Sequence, residues 1–376
     1  MEAKRAHVYL IPGFFGFANF GEFKYFAHVR RALTGELTVR GVEPVIHEVR
    51  VLPTASLPRR ATALLETITS TWTEGAPIAL IGHSTGGLDA RLLMTPGLAL
   101  PNGRSADPIA PHVRAVVTVT TPHRGSPLAD ALASVLGQQI LRALSAMTIH
   151  TIRLGRVPLP LMARFADALG PLGSLVGAKG GLMEDLYRDV LRDFSDEQAR
   201  LLEDFFHQVS RDSSLLPQLG APAMELFNTQ CTLRPGVRYG SVVLQARPPT
   251  LRGSIQSMTP MDQASYAVFR AIHALTAAGV GCPRLDGAQE AALREGFARV
   301  PGPEANDAIV PTLSQVWETV IACAWGDHLD VLGHFDGGAS SRHNDWLRTL
   351  SGFSSRDFER IWGQVAEFIV ADGAAA

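Results

Sequence analysis

Over residues 1–126, short apolar, β-branched runs alternate with segments of helical periodicity, and this alternation restricts the fold more than any other feature of the chain. HVYLIPG, IHEVRVLP, PIALIGHS and VRAVVTVTTP read as strands, whereas LPRRATALLETITSTW and TGGLDARLLM read as helices. Runs this apolar suit strands buried on both faces, so the pattern predicts a parallel sheet covered by helices. Over 127–228 the pattern changes to amphipathic helical segments broken by Gly and Pro, such as LADALASVLGQQILRAL and FSDEQARLLEDFFHQV. Strand character returns in VRYGSVVLQARP and gives way to a helix around ASYAVFRAIHALTAAG. It resumes in AIVPTLSQ and TVIACAW before a final helix, RDFERIWGQVAEFIV. The expected organisation is one α/β domain: a core over 1–126, a helical insertion over 127–228 on the sheet's rim, and further core over 229–376 carrying a helical insertion at about 251–300.

Composition removes several functional classes. A net charge of −2, from 34 basic and 36 acidic residues without a basic run, gives no electrostatic footprint for nucleic acid. No stretch of about 18 uncharged apolar residues occurs, so no transmembrane segment is expected. The basic head MEAKR before HVYLIPGFFGFANF resembles the start of a signal peptide, but Pro12, Gly13 and Gly16 break the apolar run and no small-residue cleavage site follows. Three widely spaced cysteines, Cys231, Cys282 and Cys323, suit a reducing compartment, and a cytoplasmic location is expected.

The chemistry centres on Gly82-His83-Ser84-Thr85-Gly86, a G-x-S-x-G sequence where a buried strand ends and a helix begins. Such a turn thrusts the serine out of the sheet, and its glycines permit close backbone approach. The helix N-terminus behind it favours developing negative charge. The alternative is a Gly-rich strand-to-helix turn without chemistry. His83 is expected to point elsewhere, as a packing or supporting residue.

A serine hydrolase commonly stabilises its oxyanion with two backbone N–H groups, one after the nucleophile and one from a loop following an early strand. Thr85 and Phe14 are the candidates, the second because Pro12-Gly13 lets the chain turn towards the serine. Phe15 and Phe17 become candidate walls of an acyl pocket, with Phe20 nearby. An apolar turn whose phenylalanines only pack is the alternative.

Ser–acid–His order places the remaining partners downstream. EANDAIVPTLSQVW presents Asp307 in a polar turn, and TVIACAWGDHLDVLGHF presents His328 after an apolar run. Asp307 would orient the imidazole, and His328 would take the serine proton and return it to the leaving group. Rivals remain in His334 and His343, and Asp327 and Asp330 flank the preferred histidine.

Four stretches, GHSTGGLDAR, VVTVTTPHRGSPLAD, NDAIVPTLS and GDHLDVLGHF, together with SSLLPQLGAPAMELFN, resemble the bacterial triacylglycerol lipase family of Pseudomonas and Burkholderia type, within the α/β-hydrolase fold. The resemblance covers the catalytic core, about half of the chain. It implies an α/β-hydrolase with a helical lid or cap over 127–228, Ser84 as nucleophile, Asp307 as acid, His328 as base, and Phe14 and Thr85 as oxyanion donors. It implies no cofactor for the chemistry. A structural calcium is implied through Asp330, the Asp of the H-L-D sequence, with Asp286 as the nearest acidic candidate upstream of the catalytic acid. The family's His-Gly after the first strand is Pro12-Gly13 here, and its Asn-Asp-Gly is Asn306-Asp307-Ala308. The expected activity is hydrolysis of esters with apolar acyl chains, of triacylglycerol, simple ester or polyester, with lipid at an interface as partner. An acyltransferase using the same triad and a non-catalytic lipid-binding relative are the competing readings.

Overall fold

The computed structural model describes residues 4–14, 25–133, 141, 144–145, 147–148, 150–151, 157–169, 185, 188–189, 191–250, 258–278, 281–337 and 343–371. Six strands form one sheet: β1 (Lys4–Ile11), β2 (Val42–Glu48), β3 (Ile78–His83), β4 (Val113–Val119), β5 (Arg238–Gln245) and β6 (Thr319–Trp325). Their order is β2-β1-β3-β4-β5-β6, and every neighbouring pair is parallel. β1 lies second from one edge, β2 forms that edge, and β3 to β6 then cross to the other, which puts the loops leaving the strands' carboxyl ends on one rim.

The described helices are α1 (Ala27–Val39), α2 (Leu57–Thr71), α3 (Thr85–Leu93), α4 (Pro127–Leu132), α5 (Leu159–Leu169), α6 (Asp196–Arg211), α7 (Leu215–Gln218), α8 (Ala221–Gln230), α9 (Pro260–Thr276), α10 (Gly287–Phe297) and α11 (Ser355–Val370). Two pairs, α1 with α11 and α2 with α3, flank the sheet. β3 is buried along its whole length, and Val8, Leu10, Leu80, Val116, Val117 and Val242 are wholly enclosed between sheet and helices. At about 25 cal/mol per Å² of apolar surface removed from water, burial on both faces is what selects these runs as central strands. The helices that follow β4 and β5 meet each other, α5 packing on α9.

AIVPTLSQ departs from its expected strand. Asn306 and Pro311 form an isolated antiparallel bridge, and Thr312–Gln315 is a 3-10 turn. Pro311 brings no N–H to a ladder, and the Asp307 side chain accepts the amides of Ile309 and Val310, so side chains rather than a neighbouring strand satisfy this backbone.

Candidate active site

Strand register brings the site together. Ile11 of β1 lies opposite Gly82 of β3, and His83 of β3 opposite Val119 of β4, so the segment after β1 leaves the sheet level with the Ser84 turn. Ser84 has φ 54° and ψ −129°, a strained conformation for a residue with a side chain, and its amide is tied to Val119 O at 2.8 Å. A methyl group at Gly86 would strike the Ile11 carbonyl, and one at Gly82 the backbone of Gly86, which explains the two glycines around the serine. Gly13 closes the arrangement from the other side. A Cβ there would overlap Ser84 Cβ and lie 3.0 Å from its Oγ, so Phe14 follows directly after a residue in contact with the serine. Thr85 opens α3, where an N–H has no partner within the helix. Phe15 and Phe17 lie outside the described residues.

Asp307 and His328 meet at 2.7 Å, Oδ2 to Nδ1, with both side chains wholly buried. The carboxylate also accepts N–H groups from Ile309 at 2.9 Å, Val310 at 2.7 Å and the Gln315 side chain at 3.1 Å. These donors occupy the carboxylate's acceptor positions and fix its orientation towards the ring. The carboxylate leaves Nδ1 of His328 to donate, so Nε2 is the acceptor in the neutral ring. That Nε2 is buried and has no hydrogen-bond partner. The His328 amide donates to the Asp307 carbonyl at 2.9 Å, which fixes the two loops to one another. Of the rival histidines, His334 is buried with both ring nitrogens unpartnered, and His343 donates Nδ1–H to the Gly333 carbonyl at 2.7 Å.

Several supporting residues carry no local sequence signal. Gln315 ties the Asp307 turn to β5, accepting the Leu244 amide at 2.7 Å and donating to the Leu244 carbonyl at 3.1 Å. Arg60 of α2 and Asp89 of α3 form a fully enclosed ion pair at 2.7 Å, and the same guanidinium donates to the Pro12 carbonyl at 2.7 Å. Burial pushes Asp89 up to about 6 against the pull of Arg60. Arg91 reaches His123 Nδ1 at 2.9 Å and Asn228 Oδ1 at 3.0 Å, and its guanidinium carbon lies 3.4 Å over the Trp317 ring. The TPHRGS and ELFN segments thus converge on one buried cation, which burial lowers to about 9.

Asp330 does not meet Asp286. Asp286 is the N-cap of α10, accepting the Gln289 amide at 2.8 Å. The carboxylates gathered with Asp330 are those of Asp327 and Asp345, with one oxygen from each lying within 4.8 Å of the others. Asp330 Oδ2 accepts from the Asp327 amide and from Ser351 Oγ, each at 2.9 Å, while Asp327 Oδ1 accepts from Leu329 N at 2.9 Å. Burial raises Asp327 to about 7, and burial followed by the Asp327 charge raises Asp330 well above the usual carboxylate range. Three converging carboxylates fit a hard, oxygen-seeking cation, which would relieve this frustration.

Among the described residues, no helix is long and apolar enough to cross a membrane. Cys231, Cys282 and Cys323 are free thiols.

No protein-family model matches this sequence, and no curated protein matches it. Solved structures resemble it at low identity. The Staphylococcus hyicus lipase superposes with a TM-score of 0.51 at 17% identity, over 97% of this chain and 95% of that one. Lipase 1 from Pelosinus fermentans gives 0.47 at 17%, over 93% and 98% of the two chains, and EstA from Clostridium botulinum 0.46 at 17%, over 97% and 89%. The parallel sheet, its flanking helices and the S. hyicus superposition define an α/β-hydrolase fold.

Proposed function

We propose that this protein is a serine carboxylic ester hydrolase of lipase or esterase type, working through an acyl-enzyme. The observation that carries the proposal is the buried Asp307–His328 pair, at 2.7 Å with Nε2 unpartnered, tied through the His83 ring to the strand-to-helix turn that holds Ser84 at φ 54°. His328 Nε2 takes the Ser84 Oγ proton as Oγ bonds to the ester carbonyl carbon, and Asp307 stabilises the imidazolium. The tetrahedral oxyanion is received by the backbone N–H groups of Phe14 and Thr85. Collapse breaks the ester C–O bond, with His328 returning the proton to the departing alcohol, and water then releases the acid by the same steps.

The insertion over 127–228 is assigned as a lid. Ser84 is 4% exposed, and Trp346 Nε1 donates to Thr148 Oγ1 at 2.8 Å, a link between the insertion and the segment beyond His328. Phe15 and Phe17 are proposed to line the acyl pocket. Asp327, Asp330 and Asp345 are proposed to hold a structural divalent cation such as calcium, which would neutralise the carboxylates beside the base and take no part in bond making. Free thiols agree with a reducing, cytoplasmic setting.

The test is hydrolysis of p-nitrophenyl esters from acetate to palmitate by wild type and Ser84→Ala, with product analysis in added alcohols. Ser84-dependent release of acid is expected, and the chain-length profile separates esterase from lipase. Alkyl ester formation without acid release would favour acyl transfer. An inert wild type, with detergent present to open the lid, would overturn catalysis in favour of lipid binding.

A further inference from the structure

The residue before the nucleophile is wired to the loop of the base. His83 is buried at the end of β3, with Nδ1 2.7 Å from the Tyr25 hydroxyl and Nε2 3.0 Å from the backbone carbonyl of His328. A carbonyl only accepts, so Nε2 carries the ring proton and Nδ1 accepts the Tyr25 O–H. Tyr25 itself lies in the segment between β1 and α1. A directed chain therefore runs from the Tyr25 hydroxyl through His83 to the His328 carbonyl. It joins the loop after β1, the nucleophile turn and the loop of the base.

His328 is thereby gripped at both ends of its own backbone. Its amide is held by the Asp307 carbonyl at 2.9 Å and its carbonyl by His83. The two imidazole rings lie 4.8 Å apart between centroids. Burial first, then the nearby His328, hold the His83 pKa well below its ordinary value, so His83 brings no second cation to a base that must become cationic in turnover.

We propose that His83, fixed in one tautomer by Tyr25, is a positioning residue that sets the His328 imidazole against Ser84. This inference rests on the Ser84–His328–Asp307 reading of the site. A packing residue at this point would contribute to stability alone. A positioning residue contributes to the chemical step, because a reacting group displaced by about 1 Å can lose about 10²-fold in rate.

The experiment compares wild type with His83→Leu, His83→Gln and Tyr25→Phe in ester hydrolysis and in the rate of covalent labelling by an aryl fluorophosphonate. His83→Leu keeps the bulk and loses both hydrogen bonds, and about 10²-fold loss of kcat with KM unchanged is expected, with labelling slowed in parallel. His83→Gln retains an N–H that can reach the His328 carbonyl and should recover most of that loss. Tyr25→Phe should lower kcat about tenfold. Folded His83→Leu and Tyr25→Phe with wild-type kcat and labelling would overturn the proposal. Should His83→Leu not fold, Tyr25→Phe and His83→Gln decide it by the same readouts: a tenfold loss in the first with near-wild-type rates in the second supports it, and wild-type rates in both overturn it. Failure of wild type to be labelled at Ser84 would instead overturn the hydrolase reading. A labelled wild type with unchanged variants overturns the positioning role alone.

Discussion

Replacing Arg60 by Met isolates what its guanidinium does. Arg60 and Asp89 have no exposed side-chain surface, and Arg60 spends Nε and Nη2 on the Asp89 carboxylate at 2.7–3.1 Å. Nη2 also donates to the Pro12 carbonyl at 2.7 Å, while Nη1 donates to Pro53 O at 3.1 Å. Asp89 already stands at about 6 with its partner present, because burial outweighs the attraction of Arg60. Losing that partner strands a carboxyl in an apolar site, and breaking a buried pair in this way costs about 3–5 kcal/mol. Removing both charges, as Arg60→Met with Asp89→Leu, should return stability to within about 1 kcal/mol of wild type, since well-packed apolar replacements of buried pairs are often neutral. Activity should not return with it, because the Pro12 carbonyl has lost its anchor and the Gly13-Phe14 loop its register on Ser84. Urea denaturation and ester kinetics on the three proteins supply the comparison. A single variant that loses less than about 1 kcal/mol, or a double variant with wild-type kcat, would show that the guanidinium does neither job.

Gly13→Ala should fold with reduced stability and lose most of its activity, because the new methyl overlaps Ser84 Cβ; full activity would contradict the close approach. Gln315→Leu strips one donor from Asp307 and leaves the Leu244 amide unpaired, so a loss of about 1–3 kcal/mol in stability with a fall in kcat is expected from denaturation and kinetics. Burial holds His28 at about 4 and His334 at about 3 in the folded protein. Unfolded histidines titrate near 6.5, so only the unfolded chain takes up protons between about 6.5 and 4. The stability carried by the two neutral rings is therefore complete above pH 6.5 and drains as pH falls from about 6.5 to between about 4 and 3, and urea midpoints unchanged across that window would refute it. Calcium at 100 times its dissociation constant should stabilise wild type by about 2.7 kcal/mol in a thermal shift assay and leave Asp330→Asn nearly unmoved; identical shifts would remove the cation site.

The sheet was legible because a parallel strand buried on both faces must be a predominantly apolar run, as in IALIGH and in AVVTV after the exposed Arg114. G-x-S-x-G was legible because few residues tolerate both a serine at positive φ and backbones in contact around it. Asp307 and His328, 21 residues apart, could be paired by chain order, and the structure puts them in contact. Other features had no local signal. Arg60 meets Pro12 across 48 residues, and Tyr25 meets His83 across 58, contacts created only when strands register. AIVPTLSQ has strand-like composition, but the Asp307 side chain captures its amides, and periodicity does not report such competition. Charge alone marks Asp286 as a cation ligand, whereas Asp-Gly-Ala-Gln spells the capping box that it forms.

Whether Ser84 is the nucleophile is read by intact-mass and peptide mapping after treatment with an aryl fluorophosphonate. One phosphonyl adduct on Ser84 is expected, absent in Ser84→Ala and strongly slowed in His328→Ala while both variants stay folded. An unlabelled wild type, or an adduct on another residue that persists in Ser84→Ala, would contradict that role.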